Sequence, residues 1–303
     1  MPELPEVESL RRGLSPSLVG QKILEVNVLM PKLVSAKGTT RKDSNVKTDA
    51  FIQGTAGRKI VDISRRAKNL IFRLEDGGLV LVHLKMTGQL VYKPYDCFKE
   101  NQELVWGGHP IEQTDKSLPH KHTYLIFKLE RGTLFYNDVR QFGYLLFYKN
   151  EQNFLNQDHF INLGLEPLDK EFTLEYFEET LKKKKGQLKK VLLEQSVVVG
   201  LGNIYADEVA FAAGVKPERL VQSLNQEEIS KLYYFTKKII QNAIDLGGSS
   251  VANYVLADGK RGNYAREHKV YKRGGKECLV CGAILTATKS AGRTTVYCTI
   301  CQT

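Results

Sequence analysis

No apolar run in this 303-residue chain approaches the ~20 residues that span a bilayer, although hydrophobic residues make up 42% of it. Ordinary cores are therefore expected and a membrane-spanning helix is not. No cationic-then-apolar stretch follows the opening MPELPEVESL, so the expected surroundings are reducing ones, where structural disulfides do not form. No internal repeat is present, which sets aside solenoids and arrays. Acidic side chains are outnumbered, 34 against 44 Lys plus Arg, for a formal net charge of +10. That balance points toward a polyanionic partner. Cysteine is scarce as well. There are five, and one of them, Cys97, has no nearby partner and reads as a small packing or surface residue.

The other four cysteines fall in one short stretch, as the pairs Cys278/Cys281 and Cys298/Cys301. Two such knuckles supply four soft ligands for a tetrahedral Zn²⁺, and an all-cysteine set suits a closed structural site. A segment this short has no core of its own, so metal binding would supply most of its folding free energy. Lys289 and Arg293 lie between the knuckles and strengthen the nucleic-acid reading.

The length suggests two domains. Leu4, Val7, Leu10 and Leu14 recur at helical spacing, with Pro5 suited to a first turn. Short runs rich in β-branched and aromatic residues then follow to about residue 148: 22–29, 59–63, 69–74, 79–84, 124–129 and 133–136, separated by turns such as Asp76-Gly77-Gly78. They predict a β-sandwich or barrel preceded by one helix, with 95–121 as a long loop. After a polar stretch the period becomes helical. Leu174, Phe177 and Leu181 share a face; Leu188, Val191 and Leu192 share another. Ala206 to Ala213 follow, with Asn203 as N-cap and Gly214 as stop. The longest helix carries Ile229, Leu232, Thr236, Ile239, Ala243 and Leu246, opened by an Asn225/Glu228 capping box and ended by Gly247-Gly248. Residues 248–270 read as a Gly-, Ser- and Lys-rich loop.

Two places carry chemistry. Removal of Met1 would leave Pro2 with a free secondary amine, less basic than a lysine and nucleophilic at neutral pH. Such an amine can attack a sugar C1′ and form an iminium, with Glu3 shuttling protons. The plain alternative is that proline is merely a frequent second residue. Asn203 follows the turn Gly200-Leu201-Gly202, where a helix N-terminus and close backbone could cradle phosphate; the alternative is an ordinary cap. The run Lys182–Lys185 reads as a solvated helix face. His120 and His122, flanking Lys121, do not make a zinc site by spacing.

Six segments stand in order: MPELPEVE at the start, SRRAKNL at 64–70, HLKMTGQL at 83–90, NDVRQFG at 137–143, GLGNIYADE at 200–208 and AGRTTVYCTICQ at 291–302. Together they resemble, nearly end to end, the bacterial formamidopyrimidine-DNA glycosylases (Fpg/MutM) of the Fpg/Nei base-excision repair family. The resemblance implies Pro2 as Schiff-base nucleophile, Glu3 as general acid/base, and Lys68 as a catalytic-site lysine contacting phosphate near the scissile sugar. Asn203, in a helix–two-turn–helix (H2TH) motif, and Arg293, in the zinc hairpin, would hold backbone phosphates. His122 would add a backbone contact, and Lys189 would face the active site.

An enzyme acting at C1′ must take the nucleotide out of the stack. Side chains pushed into the duplex offset that cost. Met86, Arg140 and Phe142 match the family's set for this: an apolar plug, an arginine for the orphaned cytosine and an aromatic wedge. The trio and a lesion-capping loop at 248–264 favour oxidised purines over the pyrimidine lesions of the endonuclease VIII branch. Two departures stand out: 95–121 is longer than is usual, and Val139 replaces a common proline.

The expectation is thus a multi-domain α+β protein. Residues 1–150 would form an N-terminal catalytic β-sandwich with its helix and 151–165 a linker. Residues 166–270 would form the helical H2TH domain, and 271–303 a zinc finger. It would act as a monomer on double-stranded DNA lying in a basic cleft between lobes, in the cytoplasm with the nucleoid. It would excise 8-oxoguanine and formamidopyrimidines, then cut by β,δ-elimination. One structural zinc ion is expected and no redox cofactor. The rivals are a glycosylase for oxidised pyrimidines and a non-catalytic zinc protein that senses damaged DNA.

Overall fold

The computed structural model describes residues 1–35, 42–95, 105–108, 118–249, 262–290 and 292–303. Cys97, most of 95–121 and most of 248–264, the two stretches expected to be loops, lie outside the described residues. The chain divides into two compact units. Unit 1 holds Met1–Pro2, Glu6–Ile161 and the described residues of 247–262; unit 2 holds Glu3–Pro5, Asn162–Leu246 and Asn263–Thr303.

Helix α1 (Leu4–Leu18) sends Val7, Leu10, Leu14 and Leu18 into the core of unit 1, each at most 1% exposed. Each such burial contributes about 1.5–3 kcal/mol. Then come β1 (Ile23–Val28), α2 (Lys32–Ser35), α3 (Asn45–Thr55), β2 (Ile60–Arg66), β3 (Asn69–Leu74), β4 (Leu79–His83), β5 (Gly88–Pro94), β6 (Val105–Gly108), β7 (Thr123–Leu129), β8 (Gly132–Asp138), β9 (Tyr144–Tyr148), α4 (Glu151–Leu155) and α5 (Asp158–Ile161). The strands pair antiparallel in two sheets, ordered β1-β7-β8-β5-β6 and β2-β3-β4-β9. One core joins them. Val26, Leu90, Leu125 and Tyr136 of the first sheet pack with Ile63, Phe72, Val80, Val82 and Leu145 of the second. That is the β-sandwich the sequence predicts.

Two sets of buried polar groups inside the sandwich are paired with one another, which offsets the cost of their burial. Gln21, fully buried, donates to Tyr92 Oη at 2.8 Å and accepts the Arg131 N–H at 2.8 Å. Thr123 Oγ1 donates to Asn137 Oδ1 (2.8 Å), and Asn137 Nδ2 donates to Gln89 Oε1 (2.9 Å). This chain of bonds runs across β7, β8 and β5 and fixes the register next to the loop after β8.

Helix α3 was not foreseen. It buries Thr48, Phe51, Gly54 and Thr55, a helical face made mostly of small and polar residues, which a hydrophobic-period reading passes over. A Cβ on Gly54 would overlap the Phe147 ring of β9, so glycine is what lets α3 approach. Helix α2 and strands β5, β6 and β9 were also missed, β6 falling within the 95–121 stretch expected to be a loop, and the polar stretch 151–165 contains α4 and α5.

Unit 2 contains α6 (Leu174–Lys182), α7 (Leu188–Leu192), α8 (Asn203–Ala212), α9 (Gln226–Asp245), and a hairpin of β10 (Thr286–Ser290) and β11 (Arg293–Tyr297). The α9 capping box forms as expected: Asn225 Oδ1 accepts the Glu228 N–H and Glu228 Oε2 accepts the Asn225 N–H, both at 2.9 Å. The buried stripe of α9 uses Ile240 rather than Ile239, because over so long a helix a turn of about 3.6 residues drifts from a three–four alternation. Helix α8 starts one residue earlier in register than an Asn203 cap would give: Asn203 is its first helical residue and Gly202 its cap. Gly214, at φ 74, ends it. Among the described residues no helix is long and apolar enough to cross a membrane.

Asn225→Ala should lower the stability of the protein by about 1 kcal/mol. Urea unfolding followed by circular dichroism would check this: the midpoint should fall with an unchanged slope, and an unmoved midpoint would mean the cap is energetically idle.

Candidate active site

In unit 1, four turns present the expected side chains. Lys68 sits in the two-residue turn between β2 and β3, where Ala67 takes φ 54. The turn folds Lys68 inward, to 7% exposure. Met86 lies in the β4–β5 turn and is 42% exposed. Arg140 and Phe142 lie in the loop between β8 and β9, with Phe142 49% exposed and the Arg140 guanidinium 4.7 Å from the centre of its ring. His122 stands just before β7, its N–H bonded to His120 Nδ1 at 3.1 Å. Pro2 is half-buried at the start of the chain.

One buried carboxylate ties two of these turns together. Asp138, with no exposed surface, accepts from Thr87 Oγ1 and from the Arg140 N–H (3.2 Å) through Oδ1. Its Oδ2 accepts the Gly143 N–H at 2.7 Å. Thr87 Oγ1 also accepts the Arg140 N–H at 3.0 Å. Met86 is thereby held beside the loop of Arg140 and Phe142. Gly143 has no room for a side chain, since a Cβ would strike the Tyr136 hydroxyl. Asp138 leaves little trace in the sequence beyond an acidic residue in the NDVRQFG segment, next to a strand end.

In unit 2, the Glu3 carboxylate caps α8. Its oxygens accept the N–H groups of Gly202 (2.6 Å), Ile204 (3.0 Å) and Tyr205 (3.4 Å). The carboxylate is only 3% exposed together with its residue and sits at the positive end of the helix dipole. The two glycines of the 200–202 turn make room for the chain's own start. A Cβ on Gly202 would overlap the Glu3 carboxylate, and one on Gly200 would overlap Leu4. Leu4 N–H in turn bonds Gly200 O at 3.0 Å. The close backbone approach expected for a phosphate is thus used by Glu3 and Leu4. Of the first-turn amides of α8, that of Asn203 has no hydrogen-bond partner among the described residues.

The Asn203 side chain donates through Nδ2 to Thr294 O at 3.3 Å. The same oxygen accepts from Lys189 Nζ at 3.1 Å. Lys189 is paired with Asp207 at 2.7 Å, both side chains having no exposed surface. Burial lowers the Lys189 pKa, and burial pushes Asp207 up to about 7, against the pull of the Lys189 charge. Arg293, exposed at the start of β11, is the neighbour of Thr294. So Glu3, Asn203, Lys189 and Arg293 converge on one corner, with Asp207 behind them. Asp207 was missed because an acidic residue within a helix normally reads as surface.

The four cysteine sulfurs lie within 4.8 Å of one another, the Cys281–Cys298 and Cys278–Cys301 distances being 3.4 and 3.8 Å. A tetrahedral ion about 2.3 Å from each sulfur would set them roughly 3.8 Å apart, so the donor set fits one. None forms a disulfide. Phe211 of α8 packs with Val270, Leu285 and Val296 around Cys278 and Cys298. Glu208 secures the lead-in by accepting the N–H groups of Lys269, Val270 and Tyr271 at 2.8–3.0 Å, although burial still raises its pKa.

Residues 1–145 match the formamidopyrimidine-DNA glycosylase N-terminal domain and 163–255 the formamidopyrimidine-DNA glycosylase H2TH domain. The chain is 38% identical over 302 residues to the formamidopyrimidine-DNA glycosylase of Desulfitobacterium hafniense and 37% identical to that of Carboxydothermus hydrogenoformans, with 100% of each chain covered. A Lactococcus lactis Fpg mutant in complex with Fapy-dG-containing DNA matches at TM-score 0.84 and 34% identity, covering 99% of both chains. MutM from Thermus thermophilus matches at 0.81 and 34%, covering 99% of this chain and 98% of that one. By these full-length matches, the chain belongs to the formamidopyrimidine-DNA glycosylase family.

Proposed function

We propose that this protein is a bifunctional glycosylase/AP lyase that removes oxidised purines, 8-oxoguanine and formamidopyrimidines, from duplex DNA. The observation that carries the mechanism is the fixed start of the chain: Glu3 is pinned by three amides of α8, and Pro2 is one peptide bond away. Once Met1 is removed, the Pro2 nitrogen attacks C1′. The N–C1′ bond forms as the glycosidic bond breaks; the base leaves with the bonding pair and takes a proton from water, and the Pro2 nitrogen gives its own proton to Glu3. Opening of the sugar ring at O4′, with a proton from Glu3, gives the iminium. The iminium acidifies the neighbouring C2′ proton, and β- then δ-elimination releases the two phosphates. Lys68, turned inward at the β2–β3 turn, meets the phosphate beside the reacting sugar.

Eversion of the nucleotide leaves a gap that the exposed Met86 fills. Phe142 wedges the stack, and Arg140, braced at its backbone by Asp138 and Thr87, donates to the estranged cytosine. Phosphate contacts come from Arg293, His122 and the unshared Asn203 amide at the head of α8; they position the duplex without reading sequence. The four cysteines would hold one zinc ion, which cross-links the two knuckles and braces the hairpin that carries Arg293. Residues 1–150 serve as the catalytic domain and 271–303 as the zinc finger, with the H2TH domain and its capping loop at 248–264 between them. The protein works as a monomer in the cytoplasm, on nucleoid DNA.

Borohydride treatment during turnover should trap a covalent adduct with 8-oxoguanine:C duplex, in larger amount than with a thymine-glycol duplex. Pro2→Gly should lose most of the adduct, and mass spectrometry should find Pro2 as the first residue. Wild-type protein that binds the lesion and yields no adduct would falsify the lyase chemistry. Arg140→Ala should narrow discrimination between C and A opposite the lesion by about 1–3 kcal/mol; single-turnover excision rates on the two duplexes would measure it, and an unchanged ratio would remove Arg140 from that role. Cys281→Ala and Arg293→Ala should weaken binding to all lesions alike. Filter-binding constants on several lesion duplexes test this, an altered ranking at unchanged affinity being the contrary result.

A further inference from the structure

We infer that Asp207 is a positioning residue for the DNA-contacting hairpin: with Lys189 it grips the free edge of β11 and so sets where Arg293 stands. The inference rests on the glycosylase reading above and adds to it a residue that touches neither DNA nor the reacting atoms.

The geometry is that of a substitute strand. Asp207 Oδ2 accepts the Val296 N–H at 3.3 Å, while Oδ1 holds Lys189 Nζ at 2.7 Å and Nζ donates to Thr294 O at 3.1 Å. Residues two apart on a strand turn their main-chain polar groups to the same edge. Asp207 and Lys189 therefore complete two neighbouring positions of that edge, one accepting and one donating. Asn203 Nδ2 adds a second donor to the Thr294 oxygen at 3.3 Å. Val296 pairs with Ala287 and Thr294 with Lys289 across the hairpin, so one edge of β11 faces β10 and the helices α7 and α8 supply the other.

Stability does not by itself call for a charged pair here. A pair with no exposed surface loses its hydration, and an apolar pair of the same volume commonly serves the fold as well or better. What an apolar pair cannot do is donate to one main-chain oxygen and accept from an amide two residues on. The residue next to that oxygen is Arg293, exposed. The charge of Lys189 is thus directed inward, to Asp207 and Thr294.

The test is the double variant Lys189→Met/Asp207→Leu, studied with metal-loaded full-length protein and a duplex containing a tetrahydrofuran abasic analogue. Melting temperature should fall modestly, since the Val296 N–H is left without an acceptor, and binding is read well below it. Affinity should fall about tenfold, and the slope of log K against log salt should become shallower by about 0.9 for each phosphate that the variant no longer neutralises. An unchanged slope and affinity would overturn the inference, leaving the pair a purely structural one. Should the double variant fail to fold, Asp207→Glu and Asp207→Asn decide instead: the charge-retaining change should keep the steeper slope, and identical slopes would count against positioning. Borohydride trapping by the parent on an 8-oxoguanine:C duplex separates the two levels. A normal parental adduct with an unmoved variant slope dismisses Asp207 alone, whereas no parental adduct dismisses the underlying chemistry.

Discussion

Three amide hydrogens at the head of α8 converge on the carboxylate of the third residue, and the proposed chemistry depends on them. A chain terminus is ordinarily among the most mobile parts of a protein. Here the helix dipole, three hydrogen bonds and burial hold it, and two glycines clear the space. The Pro2 nitrogen, proposed above as the nucleophile, would otherwise sample many orientations, and catalysis by position depends on few. The cap converts a flexible end into a fixed one.

The same device recurs in both units. Small buried polar groups, not large apolar surfaces, decide where the exposed side chains stand. Asp138 carries no functional group toward solvent, yet it joins the β4–β5 turn to the loop after β8. Glu208 takes three amides leading into the metal-binding segment. Met86 and Phe142, large and exposed, cost apolar hydration in the free protein, and the braces beneath them keep that exposure in one arrangement. The apolar cores supply the stability; these carboxylates supply the orientation.

Much of this was legible in the chain, and unevenly. Helices with a wide apolar stripe, such as α1 and α9, and strands rich in branched residues, such as β3 and β7, follow from periodicity alone. The four cysteines needed only their spacing. Helix α3 was illegible because its buried face is Thr48, Gly54 and Thr55 around a single Phe51. On the site side, Pro2, Glu3, Asn203 and Arg293 were marked by ordered motifs, whose chemistry is recognisable one residue at a time. The supporting carboxylates were not. Asp138, Asp207 and Glu208 acquire meaning only when distant groups are folded onto them, at separations of 51, 89 and 61–63 residues. A long-range partnership leaves no local pattern to read.

The acceptor shared by Lys189 and Asn203 is a main-chain oxygen, and this has an evolutionary consequence. The residue type at position 294 does not encode that oxygen; every amino acid brings it. Drift at 294 is therefore invisible to the two donors as long as the strand persists, while the donors themselves are held to their identities. Aligned relatives would record constraint at 189 and 203 and tolerance at 294, and a survey of invariant positions would pass over the very point on which the donors meet.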